Sequence, residues 1–376
     1  MEHWNIMHSL RMVYITGIDP RYRKTFIQRV LFLVAIASII NTTCLAIGLF
    51  IYEENLELLD FTEGMQTVMF CLHVIGKFGW FYIQHDRVID LLNDGKQFWD
   101  VNEHDDEEEK KKIVGYLRYM KLVAIYYLLS PVPTVFMLVL KPLIEHGGAA
   151  FKCYIPRNQD YYYATVALGE WLVVVIYMSC LGFDVFFGTI IALTAIQWKM
   201  LNKQIEIVLA NTLLNDENRL LVQNKLNKCI AHHNFLLNFV KKINTTISLG
   251  LLTYIGVIIL STCVELFAIV SGKPGHQFFN SVDYIISLTI QFVVLYIIPG
   301  QLLTAEAEKT EQVAFDSQWY KNSKFNKPII TMISCIGQKP VYINAFNIIN
   351  LTYLSGLQAY KTMFSYYMFL RTMKEQ

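Results

Sequence analysis

The residues best able to do chemistry are acids, bases and amides set inside apolar stretches. Glu170 and Asp184 fall in one such stretch and Glu265 in another; His73 and Lys77 stand one turn apart in a third. Ionisable groups in a low-dielectric medium are costly, so each points to a partner, a polar cavity or an ion path. Asp184 is expected to be held by hydrogen bonds within the packing, and Lys77 to snorkel to the cytoplasmic interface. His232 and His233 lie in an amphipathic stretch with no accompanying ligand set and read as surface or packing residues. The chain carries no G-x-x-x-x-G-K-S/T loop, no G-x-S-x-G elbow and no H-E-x-x-H pair. Nothing here suggests an enzyme, a cofactor or a metal site.

A second constellation sits near the end of the chain, where a helix is expected over Ile343–Leu370. Asn347, Asn350, Leu354, Gln358, Lys361 and Ser365 recur at steps of three and four, with Thr372 two turns on, giving one polar stripe. Tyr353, Leu357, Tyr360, Phe364 and Tyr367 form an aromatic stripe by the same rule. A polar stripe in a membrane helix suits an aqueous path or amide bonding between neighbouring helices, and periodicity leaves both open.

The elements that must position these groups are apolar helices. Of 376 residues, 54% are hydrophobic and only 17% charged, too apolar a balance for an ordinary soluble enzyme. The net charge of +1 gives no footprint for nucleic acid. The seven cysteines are scattered without a C-x-x-C pair, which argues against a disulfide framework or zinc. His3, Trp4 and Arg11 precede the first apolar run, which is therefore expected to stay as an uncleaved anchor.

Seven spans are expected: Phe26–Ile51, Met65–Ile83, Leu122–Leu143, Val166–Trp198, Ile247–Val270, Val282–Leu303 and the final helix. Between the fourth and fifth, amphipathic stretches Lys199–Leu209 and Asn218–Lys242 extend the helices beyond a bilayer. The charged run from Asp105 to Lys112 reads as a solvated helix face. Most of the 32 Lys and Arg fall on one side of this layout, which places the N-terminus in the cytoplasm and the C-terminus outside. The fold class is all-α and polytopic. That orientation is opposite to rhodopsin-like receptors, whose acidic-Arg-aromatic triplet and N-P-x-x-Y are also lacking. A transporter would show internal repeats, and none is visible.

The C-terminal third carries a recognisable pattern. Tyr296, Pro299, Gly300, Gln301, Glu306 and Glu308 lead to Ala314, Phe315, Trp319 and Tyr320. Gln338, Lys339 and Pro340 follow, then Phe364-Ser365-Tyr366-Tyr367 with Leu370. These resemble the hallmark elements of insect odorant receptors, with Met363, Phe364 and Tyr367 departing from the usual terminal motif. Gustatory receptors end differently; Thr352, Tyr353 and Gln358 echo their motif with the spacing one short.

The resemblance implies a subunit of a tetrameric, odorant-opened cation channel in the plasma membrane of a sensory neuron dendrite. Its partners would be the odorant co-receptor subunit, a small volatile odorant and membrane lipid. The chain has no room for the co-receptor's long intracellular insertion, so a tuning subunit is implied. By region the layout is a cytoplasmic N-terminus (1–25), six spans with an odorant pocket in the outer half (26–304), a cytoplasmic anchor (305–342), and a pore-lining helix with a short external tail (343–376). The pore face would carry Gln358, Lys361 and Ser365, with a gate at Phe369 and Met373. The pocket would draw on Met69, Leu72 and His73, on Phe136, Met137 and Leu140, on Leu168 and Trp171, and on Tyr284 and Leu288. A homotetrameric gustatory-like channel and a G-protein-coupled chemoreceptor are the alternatives.

Overall fold

The computed structural model describes residues 4–21, 25–53, 56, 58–101, 106–133, 135–136, 140, 151–154, 160–211, 219–271, 276–316 and 340–375. Two very long helices organise it. α6 (Asp160–Asn211) and α7 (Arg219–Ser271) run 52 and 53 residues, about 80 Å each at 1.5 Å per residue, far beyond a bilayer's hydrocarbon core. Each joins an apolar stretch to an amphipathic one without a break, as the periodicity predicts. α6 is the central element: 83% of its most apolar window is buried in the protein.

Around α6 stand α2 (Phe26–Tyr52), α3 (Leu58–Ile83) and α5 (Glu107–Leu129); α8 (His276–Thr289) packs on α7, and α9 (Ile298–Asp316) returns to α6. Between α8 and α9 the helix continues through a π segment, Ile290–Ile297. α4 (His85–Asp94) is a short amphipathic helix lying on α7. Among the described residues, four helical stretches are long and apolar enough to cross a membrane, within α2, α6, α7 and the α8–α9 continuation. α3 and α5 contain no such stretch, because Gln66, His73 and Lys77 interrupt the apolar part of α3 and α5 begins in the charged run.

That run behaves as expected. Asp106 caps α5, accepting from the backbone N–H groups of Glu108 and Glu109 at 3.0 and 3.2 Å. Those N–H groups, Glu109's foremost, hold the Asp106 carboxyl below its ordinary range, with help from Lys203. Glu107 to Glu109 complement the helix dipole and pair with Lys110 and Lys112 along the helix.

One feature adds to the sequence expectation and another departs from it. Within the N-terminal segment, α1 (Trp4–Tyr14) packs on α6, burying Ile6, Leu10 and Val13. Asn5 Nδ2 donates to Thr189 Oγ1 at 3.3 Å, and Ser179 Oγ donates to the Met12 carbonyl at 3.0 Å. The last helix also starts later than expected. α10 spans Tyr353–Glu375, and residues before it form a small antiparallel hairpin, β1 (Asn344–Ala345) against β2 (Ile349–Asn350). Phe346 and Asn347 make its turn at φ 52° and 57°. Asn347 and Asn350 therefore do not share the helix's polar stripe. The hairpin is tied to α7, where Asn244 donates to the Tyr342 carbonyl and accepts from the Asn344 N–H.

Candidate functional site

The interior polar groups converge on Asp184, which α6 places in the middle of the bundle with no solvent exposure. Its carboxylate accepts from Lys77 Nζ on α3 at 2.7 and 2.8 Å, and from Tyr127 Oη on α5 at 2.9 Å. Gln291 Nε2 and Tyr296 Oη, both in the π segment, donate at 2.5 and 2.7 Å. Lys77 Nζ also lies 4.2 Å from the centre of the Tyr254 ring on α7. Lys77 thus turns inward to Asp184 instead of snorkelling to the interface, because a fixed counter-charge is within its reach. Asp184 is hydrogen-bonded, as the sequence suggests. Its partners Tyr127, Gln291 and Tyr296 escaped sequence reading: a tyrosine in an apolar run looks like packing, and a spacing of five is off any α-helical face.

Beside this cluster is a cavity of about 40 Å³, lined by Lys77, Trp80, Asp184, Gly250, Tyr254 and Tyr296 among others. It is large enough for water and too small for an organic ligand, since a benzene-sized guest needs about 150 Å³. The Tyr254 hydroxyl is buried and has no partner among the described residues.

The other intramembrane carboxylates are also engaged. Glu265 Oε2 accepts from Gln66 Nε2 at 2.6 Å, and Gln66 also donates to Ser281 Oγ at 3.2 Å, joining α7, α3 and α8. Glu170 Oε1 accepts from the Phe151 N–H and from Cys153 Sγ, both at 3.4 Å. His232 stacks on Trp99 at 3.9 Å and His233 meets Trp198 edge-on at 5.0 Å, so both are buried packing residues. Among the described residues no His, Cys, Asp and Glu group is arranged to hold a metal ion.

The expected pocket residues divide by position. His73 and Leu288 are buried, and Met69, Leu140, Trp171 and Tyr284 are half-buried. His73 meets Tyr254 edge-on at 5.4 Å, and Tyr284 packs on the main core. His73 Nδ1 and Trp171 Nε1 are buried polar atoms without a hydrogen-bond partner among the described residues. Leu72, Phe136 and Leu168 lie on the outer surface of the bundle and are not brought into its interior. Met137 lies outside the described residues.

α10 has two opposed faces. Gly356, Ala359, Met363 and Tyr367 are buried, and the Met363 carbonyl accepts from Cys263 Sγ on α7 at 3.4 Å. Gln358, Lys361, Ser365, Phe369 and Thr372 are exposed. At about 100° per residue these centre half a turn from the buried stripe, so they point away from the bundle. Of the expected aromatic stripe only Tyr360 and Tyr367 turn inward; Tyr353, Leu357 and Phe364 are exposed. Met373 belongs to α10, and its side chain lies outside what the structure describes.

Known proteins agree with this architecture. The Machilis hrabei olfactory receptor OR5 in complex with eugenol superposes with a TM-score of 0.81 at 15% identity, covering 98% of this chain and 97% of that one. A second structure of the same receptor gives a TM-score of 0.78, also at 15% identity, covering 96% of each. These likenesses establish a polytopic all-α membrane fold. Odorant receptor 13a of Drosophila melanogaster is 26% identical over 205 residues, half of this chain and 48% of that protein. The match thus spans about half of that relative's length. The family model described as 7tm Odorant receptor matches residues 57–360, from α3 through the hairpin into α10. The chain belongs to the 7tm odorant receptor family.

Proposed function

We propose that this chain is the odorant-binding, tuning subunit of a heterotetrameric, non-selective cation channel opened directly by a small volatile odorant. The observation that carries the channel reading is the half-turn opposition on α10. Gln358, Lys361 and Ser365 face away from the chain's own bundle. A polar stripe in a membrane helix needs water or a protein partner, and symmetry-related α10 helices around an aqueous axis supply both. Phe369 shares that face and, with Met373 one turn on, suits an apolar constriction near the outer end.

The pocket reading rests on His73, Trp171, Tyr284 and Leu288, with Met69 at their depth. Apolar and aromatic walls with one or two available polar atoms suit a small, weakly polar ligand. The unpartnered His73 Nδ1 and Trp171 Nε1 are those atoms. Eugenol, a small aromatic bound by the Machilis hrabei receptor, is a rational first probe. The assignment as tuning subunit, with the family co-receptor as partner, rests on the absence of a long intracellular insertion in the sequence.

The test is co-expression with the odorant co-receptor subunit and a panel of volatiles including eugenol, recording from excised patches free of nucleotide. Odour-evoked cation current that needs both subunits is expected. Responses that vanish without nucleotide would favour a G-protein-coupled receptor, and current from this chain alone would favour a homomeric channel.

A further inference from the structure

The helix running through α8, the π segment and α9 changes its hydrogen-bonding register at Ile290–Ile297. Within that run, Gln291 and Tyr296 both donate to the one carboxylate of Asp184. The spacing matters. In an α-helix with 3.6 residues per turn, side chains five apart point roughly 140° away from each other. In a π-helix the hydrogen bond itself runs from i to i+5, and residues five apart return to nearly the same side. The wider register brings both donors towards the side that faces Asp184.

We propose that Asp184 is a positioning residue for this helix: by accepting from Gln291 and Tyr296 together, it holds residues 290–297 in the π register. It thereby fixes the rotational phase between the outer half of the helix, with Tyr284 and Leu288, and the inner half seated on the hairpin and α10. The inner half is pinned. A Cβ at Gly300 would lie 2.7 Å from Leu351 Cβ, Thr304 Oγ1 donates to the Val341 carbonyl at 3.0 Å, and Gln301 Oε1 accepts from the Tyr353 N–H at 3.1 Å. A return to α register is therefore taken up in α8, turning Tyr284 and Leu288 relative to their neighbours.

Lys77 completes the device by holding the carboxylate as an acceptor from a third helix. The backbone of α6 meets the π segment closely as well, since a Cβ at Gly188 would stand 2.6 Å from the Leu295 carbonyl oxygen. Pro299 lacks an N–H and opposes the same Leu295 carbonyl, so it disfavours α register at the lower edge. It cannot select the phase of Gln291 and Tyr296 at the upper one. The meaning of this phase for ligand gating rests on the function proposed above; the register itself does not.

The test is therefore a geometric one. Gln66 Nε2 on α3 lies 3.2 Å from Ser281 Oγ on α8, so Gln66→Cys with Ser281→Cys places a pair that a short bis-thiosulfonate can bridge. Bridging is followed by gel in membranes holding the full chain, with each single-cysteine variant as control. Gln291→Leu and Tyr296→Phe are then added singly and together, leaving the Lys77–Asp184 pair intact. We expect bridging in the parent pair and a fall of about ten-fold or more in the double variant, the scale for losing two hydrogen bonds to a charged acceptor. Deleting Val294 in that double variant takes out the residue that the π run accommodates, so α register then keeps the two halves in phase and bridging should return. Unchanged bridging in the double variant, or bridging that the deletion does not restore, overturns the proposal, and so does a parent pair that does not bridge. The gel is read without any current, so its outcome is independent of whether the chain conducts.

Discussion

Lys77 Nζ touches both carboxylate oxygens of Asp184, linking α3 to α6 in the interior of the bundle. Removing one member of such a pair leaves the other charged and buried, at a cost of about 3–5 kcal/mol, whereas an apolar pair of similar volume is far better tolerated. Lys77→Met and Asp184→Leu should each lower the unfolding temperature of detergent-solubilised protein sharply. The double variant should recover part of the loss and not all of it, since Tyr127, Gln291 and Tyr296 still lack their acceptor. Tryptophan fluorescence on heating gives the comparison, and a double variant no better than the worse single one would count against a paired interior charge.

Tyr284 is the pocket residue to change first. Tyr284→Ala removes a half-buried ring from α8 and should shift odorant sensitivity by roughly 1–2 kcal/mol, or about five- to thirty-fold. Dose–response curves for ligands of different size separate two roles. Shifts that depend on ligand size indicate contact; equal shifts for all indicate an effect on gating alone.

The two faces of α10 should respond differently to truncation. Phe369→Ala combined with Met373→Ala is expected to raise current without odorant, since a hydrophobic constriction made smaller admits water. Met363→Ala, on the buried face, should instead cost about 2–5 kcal/mol of stability and lower surface expression. Basal current and surface labelling, measured on the same cells, test both. A silent Phe369/Met373 double variant that reaches the membrane normally would remove the gate from this position.

Asp106 offers a pH-dependent test outside the membrane. Its carboxyl is held below the ordinary range, so the charged, capping form is favoured by folding. That contribution is fully present above the unfolded aspartate value of about 3.9 and is lost as pH falls through the lower folded value. The protection factors of the Glu108 and Glu109 amides, measured against their intrinsic exchange at each pH, should fall in that acid window, and Asp106→Ala should lack that protection already at neutral pH. Protection that persists in Asp106→Ala would mean the cap is dispensable.

The long helices were legible because each joins an apolar window to an amphipathic one with no breaker between, as from Val166 to Leu209. Hydrogen-bonded burial of Asp184 was legible too, since an intramembrane carboxylate has few alternatives. The direction of Lys77 was not, because snorkelling and pairing demand the same side chain at the same depth and only tertiary placement chooses. The hairpin before α10 hid behind Asn347 and Asn350, whose spacing continues the helical period of Leu354 and Gln358. The signal for it was the asparagine itself, a residue that tolerates left-handed backbone. α1 left a trace in the i, i+4, i+7 spacing of Ile6, Leu10 and Val13, too short a run to read as a buried helix. The candidate site was read by depth along each span, which carries no information on rotation. Leu72, Phe136 and Leu168 consequently fell on the outer surface.

The buried and exposed stripes of α10 have no residue in common, and this frees one from the other during divergence. Substitutions along Gln358, Lys361, Ser365 and Phe369 touch nothing that holds the helix to α7, so drift there is not filtered by folding. Changes at Gly356, Ala359, Met363 and Tyr367 are filtered strongly. In paralogues of one architecture the fold therefore constrains the inward face of the last helix, and only what the outward face meets in an assembly constrains the other.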